Sequence, residues 1–492
     1  MKCLLSRSLV ESVCRTFNLV VVVSCIAAAA LAQNPVPQIV GPAKPSAVPP
    51  GSGAFTLTVY GANFVPGAIV NWNGQARFTT FVSANELQSQ ILATDVATNA
   101  AGLISVTNPP PGGGKSSASW AQVEVHDPIT TITLTSSYEV PVPYNFTYSF
   151  LMADFNGDNN LDLFADSILM LGNGKGQFRF GSTIRNFVYY DGATYGDFNG
   201  DGELDLAYVS GAVNGNGNNG QQISIALGDG KGKFNVASQI KTFGLSGFWE
   251  PVVADFNGDG KLDLAVIQSK SFIVYLGNGD GTFQKFKQYA LPGSVSAWQI
   301  VPGDFNSDGK LDLMILGQYG DIYLILGKGN GEFQVPAIPV STGKQWICGV
   351  TNGPGVLLND FNGDGKLDFL ACTSGMIGVF LGNGDGSFHE SDISVPPSGD
   401  FLVPVTGDFN SDGMPDLLVS EIGSGIADVL VFWGNGDGTF QAPQVVTLPT
   451  TGKGGGIGEL GMAAGDLNSD GLLDFVDMTA FGDSAVYVQQ RQ

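Results

Sequence analysis

Asp255-Phe256-Asn257-Gly258-Asp259-Gly260-Lys261-Leu262-Asp263 decides the fold. The same nonapeptide, or a close variant, begins again at Asp154, Asp197, Asp304, Asp360, Asp408 and Asp466, with successive spacings of 43, 58, 49, 56, 48 and 58 residues. Between copies recurs a second phrase, Leu-Gly-Asn-Gly-Asp-Gly-Thr-Phe in its fullest form at Leu276, with variants at Leu171, Leu227, Leu326, Leu381 and Trp433. In the clearest unit the apolar runs are Pro251 to Ala254, Leu262 to Ile267, Phe272 to Leu276 and Phe283 to Leu291. A period near 50 with four short apolar runs per unit is the pattern of a β-propeller blade. Seven first phrases but six second phrases imply that the last unit lacks its outer strand. Ile129-Thr-Thr-Ile-Thr-Leu134 is expected to supply it, pairing the two ends of the domain and leaving no open edge.

Composition agrees. The chain has 492 residues, 69 of them Gly, with 14% charged residues and a net charge of −23. Few charges and many glycines suit short strands joined by tight turns. An acidic balance argues against nucleic acid, which needs a basic face. With only His126 and His389, most hydrolase triads and histidine-rich metal sites are excluded.

Numbered from its first Asp, each loop carries oxygen side chains in one order. Position 1 is Asp154, Asp197, Asp255, Asp304, Asp360, Asp408 or Asp466, and position 3 is Asn156, Asn199, Asn257, Asn306, Asn362, Asn410 or Asn468. Position 5 is Asp158, Asp201, Asp259, Asp308, Asp364, Asp412 or Asp470, and position 9 is Asp162, Asp205, Asp263, Asp312, Asp368, Asp416 or Asp474. Position 6 is Gly in all but Asn159, which also tolerates a left-handed turn. Oxygens at 1, 3 and 5, a sharp turn at 6 and a further carboxylate suit a hard cation of calcium size, up to seven ions in all. A backbone carbonyl at position 7 would explain why that side chain varies freely. Asp-Gly and Asn-Gly also form ordinary turns, but a turn does not require Asp at position 9 seven times over. An EF-hand needs Glu at position 12, where this chain has strand residues such as Val266 and Ile315. The second phrase reads as a glycine-rich turn between third and fourth strands, with a supporting role behind the cation as the alternative.

The N-terminus is read as a secretory signal, Met1 to Ala32: Lys2, Arg7 and Arg15, then an apolar run to Ala30-Leu31-Ala32. A lipoprotein signal ending at Cys25 is the rival, against which the apolar run continues past that cysteine. Cleavage at Ala32 takes the net charge to −25 and leaves Cys348 and Cys372, either a disulfide or two thiols. Residues 35–126 hold short alternating strands, such as Phe55 to Tyr60, and the hairpin signal Asn73-Gly74, which fit a small β-sandwich.

The loop resembles that of the FG-GAP/VCBS repeat family, related to the propeller of integrin α-subunits, over residues 129–492. The resemblance implies calcium ligands at positions 1, 3, 5 and 9, a carbonyl at 7, and a loop joining the first and second strands of each blade. Asn159-Asn160 departs from the pattern and puts the first loop's affinity in doubt. Residues 35–126, with Leu57-Thr-Val-Tyr-Gly-Ala-Asn-Phe64 and Val70-Asn-Trp-Asn-Gly74, resemble IPT/TIG immunoglobulin-like domains, which implies a spacer or contact module.

The expected architecture is therefore all-β, a seven-bladed β-propeller at 129–492 preceded by a small immunoglobulin-like β-sandwich at 35–126. The expected function is calcium-dependent adhesion or extracellular recognition of a protein or glycan, secreted or at the cell surface, with no transmembrane segment in the mature chain. A polysaccharide-lyase-like enzyme is the alternative, since some lyases resemble this architecture. On the face opposite the loops, Tyr190, Trp249, Trp298 and Trp346 are candidate ligand-binding aromatics, or else they pack between blades.

Overall fold

The computed structural model describes residues 33–489 except 40–42, 117–120, 131, 140–149, 166, 185–191, 212–221, 242–250, 269, 292–296, 318, 342–345, 347–355, 374–375, 395–400, 423–427, 449–460 and 479–484. The signal segment, Tyr190, Trp249 and Cys348 therefore lie outside the described residues, as does the side chain of Trp298. Gln33–Gln492 forms one compact unit. Every regular element among the described residues is a β-strand, and none is a helix long and apolar enough to cross a membrane.

The repeats become seven four-stranded antiparallel sheets. In the third, Val252–Ala254, Asp263–Gln268, Ser271–Gly277 and Phe283–Ala290 pair in sequence order, within two residues of the four apolar runs. After their leading Asp the second strands are mainly apolar because both of their faces are covered; Asp205–Ser210 and Asp312–Gly317 are buried at every position. The fourth strands are mostly exposed, as in Phe234–Lys241. They form the rim.

One apolar cluster sits between each pair of neighbouring sheets. Phe164 and Leu169 pack with Tyr195 and Leu206 between the first and second, and Phe305 and Leu324 with Phe369 and Phe380 between the fourth and fifth. The series closes on itself: Leu163 and Met170 of the first sheet share a cluster with Val476 and Val486 of the last. A backbone bond from Gly176 N–H to Leu467 O, 2.8 Å, crosses the same junction.

The last sheet has its outer strand from the start of the domain, as expected, but at a different place. Leu134–Glu139 pairs with Ala485–Gln489, with a register shift between Leu134 and Ser136. The preceding residues have other duties: Ile129 N–H donates to Asn410 O, and Ile132 is buried between the last two sheets.

The N-terminal segment forms two sheets around one core. Gln38–Ile39, Phe55–Ala62, Glu86–Ile91 and Thr79–Ser83 make one; Ala47–Val48, Ala121–Val125, Ala100–Asn108, Ile69–Trp72 and Gln75–Ala76 make the other, with Gly114–Lys115 beside Ala100–Asn108. Leu57, Val59, Val70, Trp72, Leu87 and Val123 fill the space between them. Asn73 and Gly74 both have positive φ, 47° and 74°, forming the two-residue hairpin anticipated between Trp72 and Gln75.

Candidate metal loops and their docked cap

Each nonapeptide joins the first and second strands of its sheet and folds around its own carboxylates. The position 1 Asp accepts the position 5 N–H on Oδ1 and the position 6 N–H on Oδ2; in the third loop these are Asp259 N at 3.2 Å and Gly260 N at 2.8 Å from Asp255. The same pair of bonds recurs in the other six loops. The position 3 Asn amide oxygen accepts the position 5 N–H, and the position 5 carboxylate accepts the position 7 N–H, as in Asn257 to Asp259 at 2.8 Å and Asp259 to Lys261 at 3.1 Å. Three backbone N–H groups, in four hydrogen bonds, thus orient the donor side chains.

This winding needs left-handed backbone at positions 4 and 6. Gly258 and Gly260 supply it with φ of 73° and 79°, whereas Ser307, Ser411 and Ser469 adopt φ of 55–62° at position 4. Position 6 was recognisable from its near-invariant glycine. Position 4 was hidden because three copies place serine there.

The position 9 Asp has a role that the loop alone did not suggest. Asp263 is fully buried and accepts Phe256 N–H at 3.0 Å on one oxygen and Gly277 N–H at 2.9 Å on the other. Gly277 is the first glycine of the second phrase. A Cβ there would stand 2.0 Å from Leu262 O, so the two phrases form one interlocked structure. The equivalent clamps join Asp162 to Gly172, Asp205 to Gly228, Asp312 to Gly327, Asp368 to Gly382 and Asp416 to Gly434. In the last sheet, which has no second phrase, Gln489 N–H takes the glycine's place on Asp474 at 2.8 Å. The second phrase therefore backs the loop through its backbone, and the signal for this was the paired recurrence of the phrases.

Electrostatics leave the loops short of positive charge. Burial, reinforced by the neighbouring loop carboxylates, pushes Asp162, Asp205, Asp312 and Asp368 up to about 7 and Asp263 and Asp416 to about 8. Asp474 is raised well above its ordinary value for the same reason. Asp255, Asp304, Asp408 and Asp466 rise to about 6, again mainly by burial. Among the described residues no cage of three or more carboxylate, imidazole or thiol groups is formed. Each loop offers three carboxylates and one amide oxygen in sequence, without the three carboxylates converging on one point. All-oxygen side chains are the donor type that a hard cation such as calcium takes, but Asp255 already accepts two N–H groups on each oxygen, those of Gly258 and Asp259 on Oδ1 and of Gly260 and Val36 on Oδ2.

The N-terminal sandwich is packed on these loops and is not held away from them as a spacer. Val36 N–H donates to Asp255 Oδ2 at 2.9 Å, Ser46 Oγ to Asp408 Oδ2 at 2.8 Å and Asn85 Nδ2 to Asp304 Oδ2 at 3.3 Å. Lys44 Nζ forms an ion pair with Asp360 Oδ2 at 2.5 Å. Four loops thus give the outer oxygen of their first Asp to the sandwich. Ser411 Oγ, in the sixth loop, donates to buried Glu124 at 2.9 Å, and burial with nearby Asp408 pushes that carboxyl well above its ordinary value.

Trp346 does not face a ligand. It is fully buried, its indole Nε1–H donates to Ser341 Oγ at 3.0 Å and its ring meets Phe380 edge-on, which corrects its assignment as a binding aromatic. Cys372 is buried and disulfide-bonded.

A family profile described as an FG-GAP-like repeat matches residues 197–266, 255–315, 360–419 and 422–476. The chain carries FG-GAP-like repeats. The matched spans take in six of the seven loops, all but that beginning at Asp154. No curated protein matches the chain in sequence. Among solved structures it is similar to a lectin of Agrocybe aegerita that recognises non-reducing terminal N-acetylglucosamine, at 18% identity and a TM-score of 0.46, over 78% of this chain and 96% of the lectin. It is also similar to an auxiliary nutrient binding protein of Bacteroides ovatus, at 11% identity and a TM-score of 0.40, over 92% of this chain and 98% of that one.

Proposed function

We propose that this chain is an exported, calcium-stabilised recognition module. In this reading the seven sheets are the blades of one propeller, residues 35–126 are an immunoglobulin-like domain, and Met1 to Ala32 is removed on export. Each loop takes one calcium ion through its position 1, 3, 5 and 9 side chains. The observation that carries the reading is the sevenfold recurrence of a buried position 9 carboxylate, raised in pKa by its burial and by the other carboxylates of its loop. A bound divalent ion supplies the counter-charge, and with seven ions a mature charge of −25 becomes −11.

Covering of the loop face by the sandwich leaves the rim and the opposite face for an extracellular protein or glycan, in adhesion or capture. Extracellular calcium loops bind at about 10⁻⁴ to 10⁻³ M, so millimolar calcium keeps them filled. Calorimetric titration of chelator-treated protein should give up to one ion per loop in that range; failure to bind calcium at millimolar concentration refutes the metal assignment. A glycan and protein array screened with calcium present tests recognition. Depolymerisation of an arrayed polysaccharide would instead support the lyase-like alternative.

A further inference from the structure

Away from the loops, the rim carries a groove of about 1000 Å³ between the outer strand of the second sheet, Phe234–Lys241, and the face of the third sheet. Lys241, Lys270 and Lys285 stand on its walls, all exposed, and none makes an ion pair among the described residues. Among the described residues no Asp or Glu lines it. This is unusual in a chain of net charge −23, and it follows from a local concentration: seven of the 15 lysines after residue 32 fall between Lys231 and Lys287. The field of the whole molecule repels anions, so three unpaired ammonium groups act only within a Debye length of roughly 8–10 Å. They are suited to gripping an anion in contact with the groove, not to attracting one from a distance.

The other lining groups narrow the ligand class. Gln239, Gln268 and Gln288 add neutral amides, and two of these are held in place: Gln239 Nε2 donates to Ser224 Oγ at 3.2 Å and Gln288 Nε2 to Ser271 Oγ at 2.8 Å. Their carbonyl oxygens remain as acceptors for hydroxyl groups. Tyr275 and Phe283 give the groove an apolar floor continuous with the core between the two sheets. Ammonium groups for carboxylates, amide oxygens for hydroxyls and an aromatic floor for ring faces together describe a sugar acid.

We infer that this groove binds an acidic oligosaccharide, a chain bearing uronate carboxylates. The inference gives the recognition reading a site and a ligand class, and does not depend on the metal loops, because the groove is built from strands. The test uses the full mature chain in millimolar calcium with a hexasaccharide of alternating glucuronate and N-acetylated amino sugar. The expected result is saturable binding, at least about tenfold weaker for the carboxyl-reduced sugar and at least about tenfold weaker for Lys241→Gln/Lys270→Gln/Lys285→Gln, whose circular dichroism should match the parent. The inference is overturned if the acidic sugar does not bind, if the reduced sugar binds equally, or if the triple variant is unchanged. Equal binding of poly-glutamate would also overturn it, placing an acidic peptide there. Melting with and without chelator, read on the same samples, reports the calcium reading separately.

Discussion

Adding calcium to chelator-treated protein should release protons in a number that depends steeply on pH. Without the cation, the position 9 carboxyls titrate at about 7 for Asp162, Asp205, Asp312 and Asp368 and about 8 for Asp263 and Asp416, with Asp474 also raised. A group at its pKa is half protonated, and one a unit above the pH is about nine-tenths protonated. Filling seven loops therefore expels about four to five protons at pH 7. At pH 6 the first-position group joins, since Asp255, Asp304, Asp408 and Asp466 titrate at about 6, and the count rises to about eight or nine. At pH 9 it falls to about one or fewer. Stability shifts accordingly. The folded carboxyls have pKa values raised above their unfolded value, so the cation-free fold holds extra protons between about pH 4 and pH 8 and loses stability as pH rises through that window. Calcium reverses the slope, because it requires the ionised form. Calorimetric titration at each pH in two buffers of different ionisation enthalpy counts the protons, and denaturant melts in chelator at pH 5 and pH 8 give the slope. Proton-free calcium binding at pH 6, or a chelator-treated fold more stable at pH 8 than at pH 5, would refute the reasoning.

Three further outcomes are expected. Ser307→Gly should raise the denaturant-unfolding free energy by roughly 0.5–1 kcal/mol, since serine at φ 55° is replaced by the residue that position 4 favours. Gly277→Ala should lower it by about 1–3 kcal/mol, because the new Cβ meets Leu262 O, and the loss should persist in chelator. Lys44→Ala with Ser46→Ala removes two donors from Asp360 and Asp408 and should weaken docking of the sandwich by about 1–3 kcal/mol, seen as faster proteolysis at residues 126–131 with unchanged circular dichroism.

The sheets were legible because each unit repeats one alternation of loop and apolar run. The closing strand had no such second copy. Ile129 to Leu134 alternates like a strand, yet Leu134–Glu139 pairs with the last strand while Ile132 is spent on the core. Trp346 shows the limit of reading exposed aromatics by position, since only packing against Phe380 and Ser341 reveals its burial. Docking of the sandwich was illegible for a different reason. Its donors, Val36 N–H, Ser46 and Asn85, are short polar or backbone groups meeting partners more than 200 residues away, and such contacts leave no periodicity in the chain.

Metal content and melting temperature, taken together on one preparation, test the central claim most directly. Dialysed to equilibrium against millimolar calcium, the mature chain should carry several and up to seven calcium ions above the buffer level by elemental analysis. Chelation should lower its melting temperature by many degrees, each site contributing about 0.4–1.4 kcal/mol at a one- to tenfold ratio of calcium to its dissociation constant. A chain that holds no calcium and melts at the same temperature with and without chelator would contradict the account.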